Sequence, residues 1–150
     1  MKILYTAFKG IHNTSYQLVS DIAQKSLFLT NSFRGLETDL SLVDEHFDLV
    51  IMFGVDKRLI NRIRIETCAE YNGEVICTKF DTDLLEISCR RKQIMYSISH
   101  SSTGYLCNAA YYHMLKKVPN TVFVHIPSAK GMNEELMKKL TDCFKEYPIS

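Results

Sequence analysis

No apolar run in this chain approaches the roughly 20 residues of a membrane span, and neither sign of charge is in excess. Eighteen Lys and Arg stand against 17 Asp and Glu, a net charge of +1. A membrane partner is therefore not expected, and neither is nucleic acid, whose binders carry a basic footprint for the phosphates. The short basic clusters Arg90–Lys92 and Lys138–Lys139 read as solvated faces. The opening "MKILYTAF" is too short for a signal-peptide core and has no small-residue cleavage site. Linkers, internal repeats and low-complexity segments are also missing, so residues 1–150 are expected to form one domain.

The five cysteines, at 68, 77, 89, 107 and 143, include no CxxC pair and no Cys-x5-Arg loop. That spacing argues against a zinc site, a dithiol redox motif and a phosphatase loop. With no export signal, the expectation is a cytoplasmic protein with free thiols. No metal is called for.

What is present is ordinary globular material, 46% hydrophobic and 23% charged. Apolar runs at 2–8, 26–33, 47–55, 63–71, 94–99 and 121–127 predict strands, with a further one within "GEVICTKF". Between them, helical stripes are predicted at 14–25, 37–47, within "DTDLLEISCRRK", from Gly104 onward behind a Ser101 or Ser102 cap, and at 132–147 behind Asn133. Strands that are continuously apolar and alternate with helices imply a mostly parallel sheet covered on both faces, a three-layer α/β/α sandwich.

On such a sheet, ligands bind at the carboxyl ends of strands, where the next helices begin. Cys107 falls in or near the first turn of its predicted helix, where free N–H groups and the helix dipole favour an anion and so a lowered thiol pKa. His125, near the end of the strand "TVFVHIP", is placed on the same edge. Such a pair suits nucleophilic catalysis, the imidazole taking the thiol proton and returning one to a leaving amine. A carboxylate should orient the imidazole. Glu66, framed by apolar residues in "IRIETCAEY", is the first candidate, ahead of Asp56 and Glu70.

These residues also carry a resemblance. "SSTGYLCNAAYYHML" followed by "VFVHIP" resembles the nucleophile and histidine motifs of the pyroglutamyl peptidase I family. Ser99, Tyr105, Leu106, Cys107, Asn108, Tyr111 and Tyr112 match the first, and Phe123 to Pro127 match the second. "MKILYTAF" is similar to the family's first strand, "NTSYQLV" to its first helix opening, and Ile63, Glu66 and Ala69 to its glutamate segment. The resemblance implies an α/β/α thiol protease with catalytic Cys107, His125 and Glu66, no cofactor, a thioester intermediate, and oxyanion donors in the backbone from Gly104 to Cys107. It also implies a peptide substrate with an N-terminal pyroglutamyl or related blocked group. Phe8 and Asn13 become candidate substrate-binding residues, and homo-oligomerisation stays open. Two segments depart from the family pattern. The N-terminal loop is reduced to "FKGIHN", and "GVDKRLINR" stands where the family has a glycine-rich stretch, with Arg58, Arg62 or neither in place of its arginine. The departures leave a second reading, a degenerate member that binds a peptide or small molecule without efficient turnover.

Overall fold

A computed structural model describes residues 1–23, 25–102 and 105–147. Its main sheet has six strands in the order β2-β1-β3-β8-β4-β7. Four of them run parallel: β2 (Ser26–Leu29), β1 (Ile3–Phe8), β3 (Leu49–Val55) and β8 (Thr121–Ile126). The other two, β4 (Ile63–Glu66) and β7 (Tyr96–Ser99), are parallel to each other, but β4 pairs antiparallel with β8. The sheet is mostly parallel, as expected, with a reversed seam between β8 and β4.

Both faces are covered. Residues at one parity of the strands, among them Ile51, Phe53, Ile65, Val122 and Val124, pack with α1 (Thr14–Ile22), α3 (Asp83–Arg91) and α5 (Glu134–Lys145). The other parity, including Leu4, Val50, Met52 and Phe123, packs with α2 (Phe33–Ser41) and α4 (Tyr105–Lys117). Both layers satisfy the alternation that a two-faced sheet imposes. Each buried Leu, Ile, Val or Phe contributes about 1.5–3 kcal/mol of transfer free energy, so the two layers together dominate stability.

Three sequence expectations are corrected here. The run 63–71 is not one strand. It breaks at Thr67, and β5 (Cys68–Tyr71) leaves the main sheet to pair antiparallel with β6 (Glu74–Cys77). The turn between them is Asn72–Gly73, both at positive φ, as a two-residue hairpin loop requires. Second, Cys68 and Cys77 face each other across this ladder and are disulfide-bonded, so the five thiols are not all free. Third, the second helix lies at 33–41 rather than 37–47, because the Ser32 side chain accepts from the Gly35 N–H and starts it early. The start expected at Gly104 for the helix carrying Cys107 is not among these corrections. That helix is described from Tyr105, while Gly104 lies outside the described residues. Asn133 does cap the last helix, accepting from the Leu136 N–H at 2.7 Å.

Candidate functional site

The site forms where α4 begins and β8 ends. A 13-residue helix rises about 20 Å and a six-residue strand spans about the same. Since α4 feeds directly into β8, its first turn returns to the level of the strand's carboxyl end. That connection, and not the end of β7, brings Cys107 to His125. Ser99 pairs with Glu66, which pairs with Phe123, so β7 ends at mid-height of β8.

Cys107 and His125 line an open cleft of about 670 Å³ together with Val55, Asp56, Lys57, Arg58, Tyr105 and Leu106. Gly54, at the end of β3, makes the close approach feasible. A Cβ at that position would lie 2.7 Å from Cys107 Sγ and 2.7 Å from the Phe123 ring. Tyr105, the first residue of the helix, has φ +65 and is largely exposed at the cleft wall. A bulky residue in the left-handed region is costly and commonly marks a functional segment.

Behind the cleft, the reversed seam supplies the charges. Arg64 is the direct cross-strand partner of His125. Glu66 lies two residues on, on the same face. Glu66 is 2% exposed and His125 4%. His125 Nδ1 lies 3.2 Å from Glu66 Oε1, the bond expected of an orienting carboxylate. The same Oε1 accepts from Arg64 Nε, while Glu66 Oε2 is buried without a partner among the described residues. Arg64 Nη2 donates to Asp56 Oδ2 at 2.8 Å and lies 3.4 Å from His125 Nδ1. Arg58 donates to both oxygens of Asp56.

These contacts set the protonation states. Burial alone would raise the Glu66 carboxyl, but the bonds from His125 and Arg64 prevail and hold it below its ordinary value. The hydrogen bond from Arg58, helped by Arg64, does the same for Asp56. The expected lowered pKa of Cys107 is not found. Burial, with the Asp56 and Glu66 charges, pushes the thiol up to about 12, and Arg64 pulls only partly the other way. At neutral pH Cys107 is therefore a thiol rather than a thiolate.

Of the candidate site residues, Cys107, His125 and Glu66 are brought together. Phe8 and Asn13 are not part of the cleft lining. Phe8 ends β1 inside the core, and the Asn13 side chain caps α1 by accepting from Ser15 and Tyr16 N–H groups. Glu70 sits on the hairpin, where its backbone is held by the Asn108 side chain. Of the two arginines considered, Arg58 reaches Asp56. Arg64, which the sequence reading passed over, makes the inner contacts. Its signal was the spacing of two, which places Arg64 and Glu66 on one strand face. No cluster of three or more metal-ligating side chains occurs among the described residues.

No protein-family model matches the sequence, and no curated protein matches it at a significant level. The fold, by contrast, has many solved counterparts. Pyrrolidone carboxyl peptidase from Thermus thermophilus superimposes with a TM-score of 0.76 at 18% identity, over 95% of this chain and 97% of that one. Pyroglutamyl peptidase I from Bacillus amyloliquefaciens gives 0.73 at 16%, over 97% and 96%. The Thermococcus litoralis pyrrolidone carboxyl peptidase gives 0.69 at 17%, over 97% and 96%. The chain therefore has the α/β/α fold of these peptidases.

Proposed function

We propose that this chain is a cysteine exopeptidase that releases an N-terminal pyroglutamyl or related blocked residue, with Cys107 as nucleophile, His125 as general base and acid, and Glu66 as its orienter. The observation that carries this reading is the buried Glu66–His125 bond at 3.2 Å, aimed from behind at a cleft whose wall holds Cys107. Few structural needs would place a carboxylate, an imidazole and a thiol in that order. The shared fold of the pyroglutamyl peptidases supports the same assignment.

The raised thiol dictates the route. His125 Nε2 takes the Cys107 proton as sulfur attacks the scissile carbonyl, so charge develops on the imidazole beside Glu66 and on the carbonyl oxygen beside the start of α4. Free backbone N–H groups of that first turn stabilise the oxyanion. Collapse breaks the C–N bond, His125 gives its proton to the departing amine, and a thioester remains. Water, deprotonated by His125, attacks the thioester, and the proton returns to sulfur as the acid leaves. No step calls on a cofactor.

The test is release of an amine dye from a pyroglutamyl conjugate, with an alanyl conjugate and Cys107→Ala alongside. Release from the pyroglutamyl conjugate alone, lost in Cys107→Ala, is expected. Equal release by wild type and Cys107→Ala would remove the thiol from the reaction. A second reading, binding without efficient turnover, is favoured by one observation, the thiol held at about 12 by burial and two carboxylates. Under it, the pyroglutamyl peptide binds but the dye is not released.

A further inference from the structure

Histidine in this site faces a conflict that a Cys–His–Glu arrangement alone does not contain. Two groups approach the single atom Nδ1 of His125: the Glu66 Oε1 acceptor at 3.2 Å and the Arg64 Nη2 donor at 3.4 Å. A neutral imidazole carries one proton. If it sits on Nδ1, it is donated to Glu66, and Nε2 is bare and able to take the Cys107 proton. If Arg64 donates to Nδ1 instead, the proton must sit on Nε2, and His125 is useless as a base. The guanidinium cannot be neutralised out of this competition. What decides it is where its Nη2 hydrogens point, and here Asp56 Oδ2 takes one at 2.8 Å.

We infer that Asp56, acting through Arg64, is a positioning residue of the site: it draws the Arg64 guanidinium away from His125 Nδ1 and so selects the imidazole tautomer that can serve as base. This goes beyond the trio of the proposed function and rests on it. Asp56 is well placed for the task. It directly follows β3, its backbone N–H donates to Ile126 O at 3.0 Å, and Arg58 holds both its oxygens from the solvent side. Its carboxylate is thereby fixed in position and fully ionised. Arg64 in turn cannot drift, because Glu66 Oε1 holds its Nε from the inner side. The remaining charged groups near the cleft, Lys57 and Arg58, lie exposed on the Asp56 side, and neither is hydrogen-bonded to the imidazole among the described residues.

The tautomer is directly readable. Protein carrying isotope-labelled histidine gives proton–nitrogen correlation spectra in which the two neutral tautomers differ, and His125→Gln identifies the signal. Spectra are taken at a pH where they themselves show the ring to carry a single proton. Wild type should show the proton on Nδ1. Asp56→Asn should move the population toward Nε2–H and lower kcat by about tenfold or more, with KM little changed, since one hydrogen bond to a charged group is lost. Adding Arg64→Met to Asp56→Asn removes the competing donor and should return the proton to Nδ1, an outcome that a merely structural role for Asp56 does not produce. Nε2–H in wild type, or an unchanged tautomer in Asp56→Asn, overturns the proposal. If Asp56→Asn does not fold, Asp56→Glu, which keeps the charge but displaces it by one methylene, takes its place, with the same shift toward Nε2–H expected and an unchanged tautomer again overturning the proposal. The readout needs no substrate, so absent peptidase activity with an Nδ1–H tautomer would sink the proposed function and leave this inference standing.

Discussion

Strands β2, β1, β3 and β8 run one way and are apolar on both faces except at Thr6, Ser26, Thr121 and His125, whereas β4 and β7 run the other way and present Arg64, Glu66, Ser97 and Ser99 on one face. The parallel part supplies a rigid, close-packed wall: Gly54 and Phe123 under the thiol, and the carboxyl end of β8 under His125. The reversed part supplies charge, held in place by antiparallel pairing that sets Arg64 directly opposite His125. Direct cross-strand neighbours have Cβ atoms only about 4.5–5.5 Å apart, so a guanidinium meets an imidazole there without any loop to position it. Shape comes from one region and electrostatics from the other, and the proposed chemistry sits on the seam.

Breaking the shape side should have the largest effect. In Gly54→Ala the new methyl would lie 2.7 Å from both Cys107 Sγ and the Phe123 ring, so the thiol must shift. Displacement of a reacting atom by about 1 Å costs on the order of 100-fold in rate. The expected outcome is about a 100-fold fall in kcat/KM for the pyroglutamyl conjugate. Over-packing of this kind also costs about 1–3 kcal/mol in stability, read by denaturant unfolding. Near wild-type activity would mean that the wall does not position the nucleophile.

The same division explains what the sequence made legible. The strands of the parallel part are long apolar runs, and 2–8, 47–55 and 121–127 map onto β1, β3 and β8 with only end residues shifted. A continuous apolar run reports burial on both faces but carries no sign of direction, so the reversal of β4 and β7 was invisible. The break at Thr67 was hidden for another reason. Thr67 continues the apolar-framed pattern and still donates its N–H to Ser99 O, so the chain leaves the sheet only at the next residue. The Asn72–Gly73 pair was the available hairpin signal, and with it the cross-strand placement of Cys68 and Cys77 follows. Within the site, Cys107, His125 and Glu66 stood out because each is anomalous in its apolar setting. Arg64 did not, since an arginine in a strand is ordinarily a solvated residue.

On the charge side, the hairpin invites a second experiment. Its β5–β6 ladder packs on α4, with Asn108 tied to the Glu70 backbone and Tyr112 to Glu74, and the Cys68–Cys77 bond closes it. The disulfide spans a sequence separation of 9, and closing a loop of that size removes about 2–3 kcal/mol of unfolded-chain entropy. The Cys68→Ser, Cys77→Ser double variant should unfold at lower denaturant by that amount while its activity at 25 °C falls much less. A larger loss of activity than in Gly54→Ala would place the hairpin, rather than the wall, in control of Cys107.

The smallest effect is expected from acid, and its sign follows from the two carboxylates on the seam. Glu66 and Asp56 are both held below their ordinary values in the folded chain, so between those values and the lowered ones the unfolded chain binds more protons. Stability from these groups is complete above about pH 5. It drains away as pH falls through the lowered values, the opposite of what a histidine raised by a partner would give. Glu66 contributes modestly because burial opposes its hydrogen bonds, and Oε2 gains nothing in return for its burial. Unfolding free energies of wild type and Glu66→Gln, measured from neutral pH down into the carboxylate range, should therefore converge as pH falls. A gap that stays constant, or widens toward acid, would mean that the Glu66 charge adds nothing to the folded seam, and that Arg64 is held there by Asp56 alone.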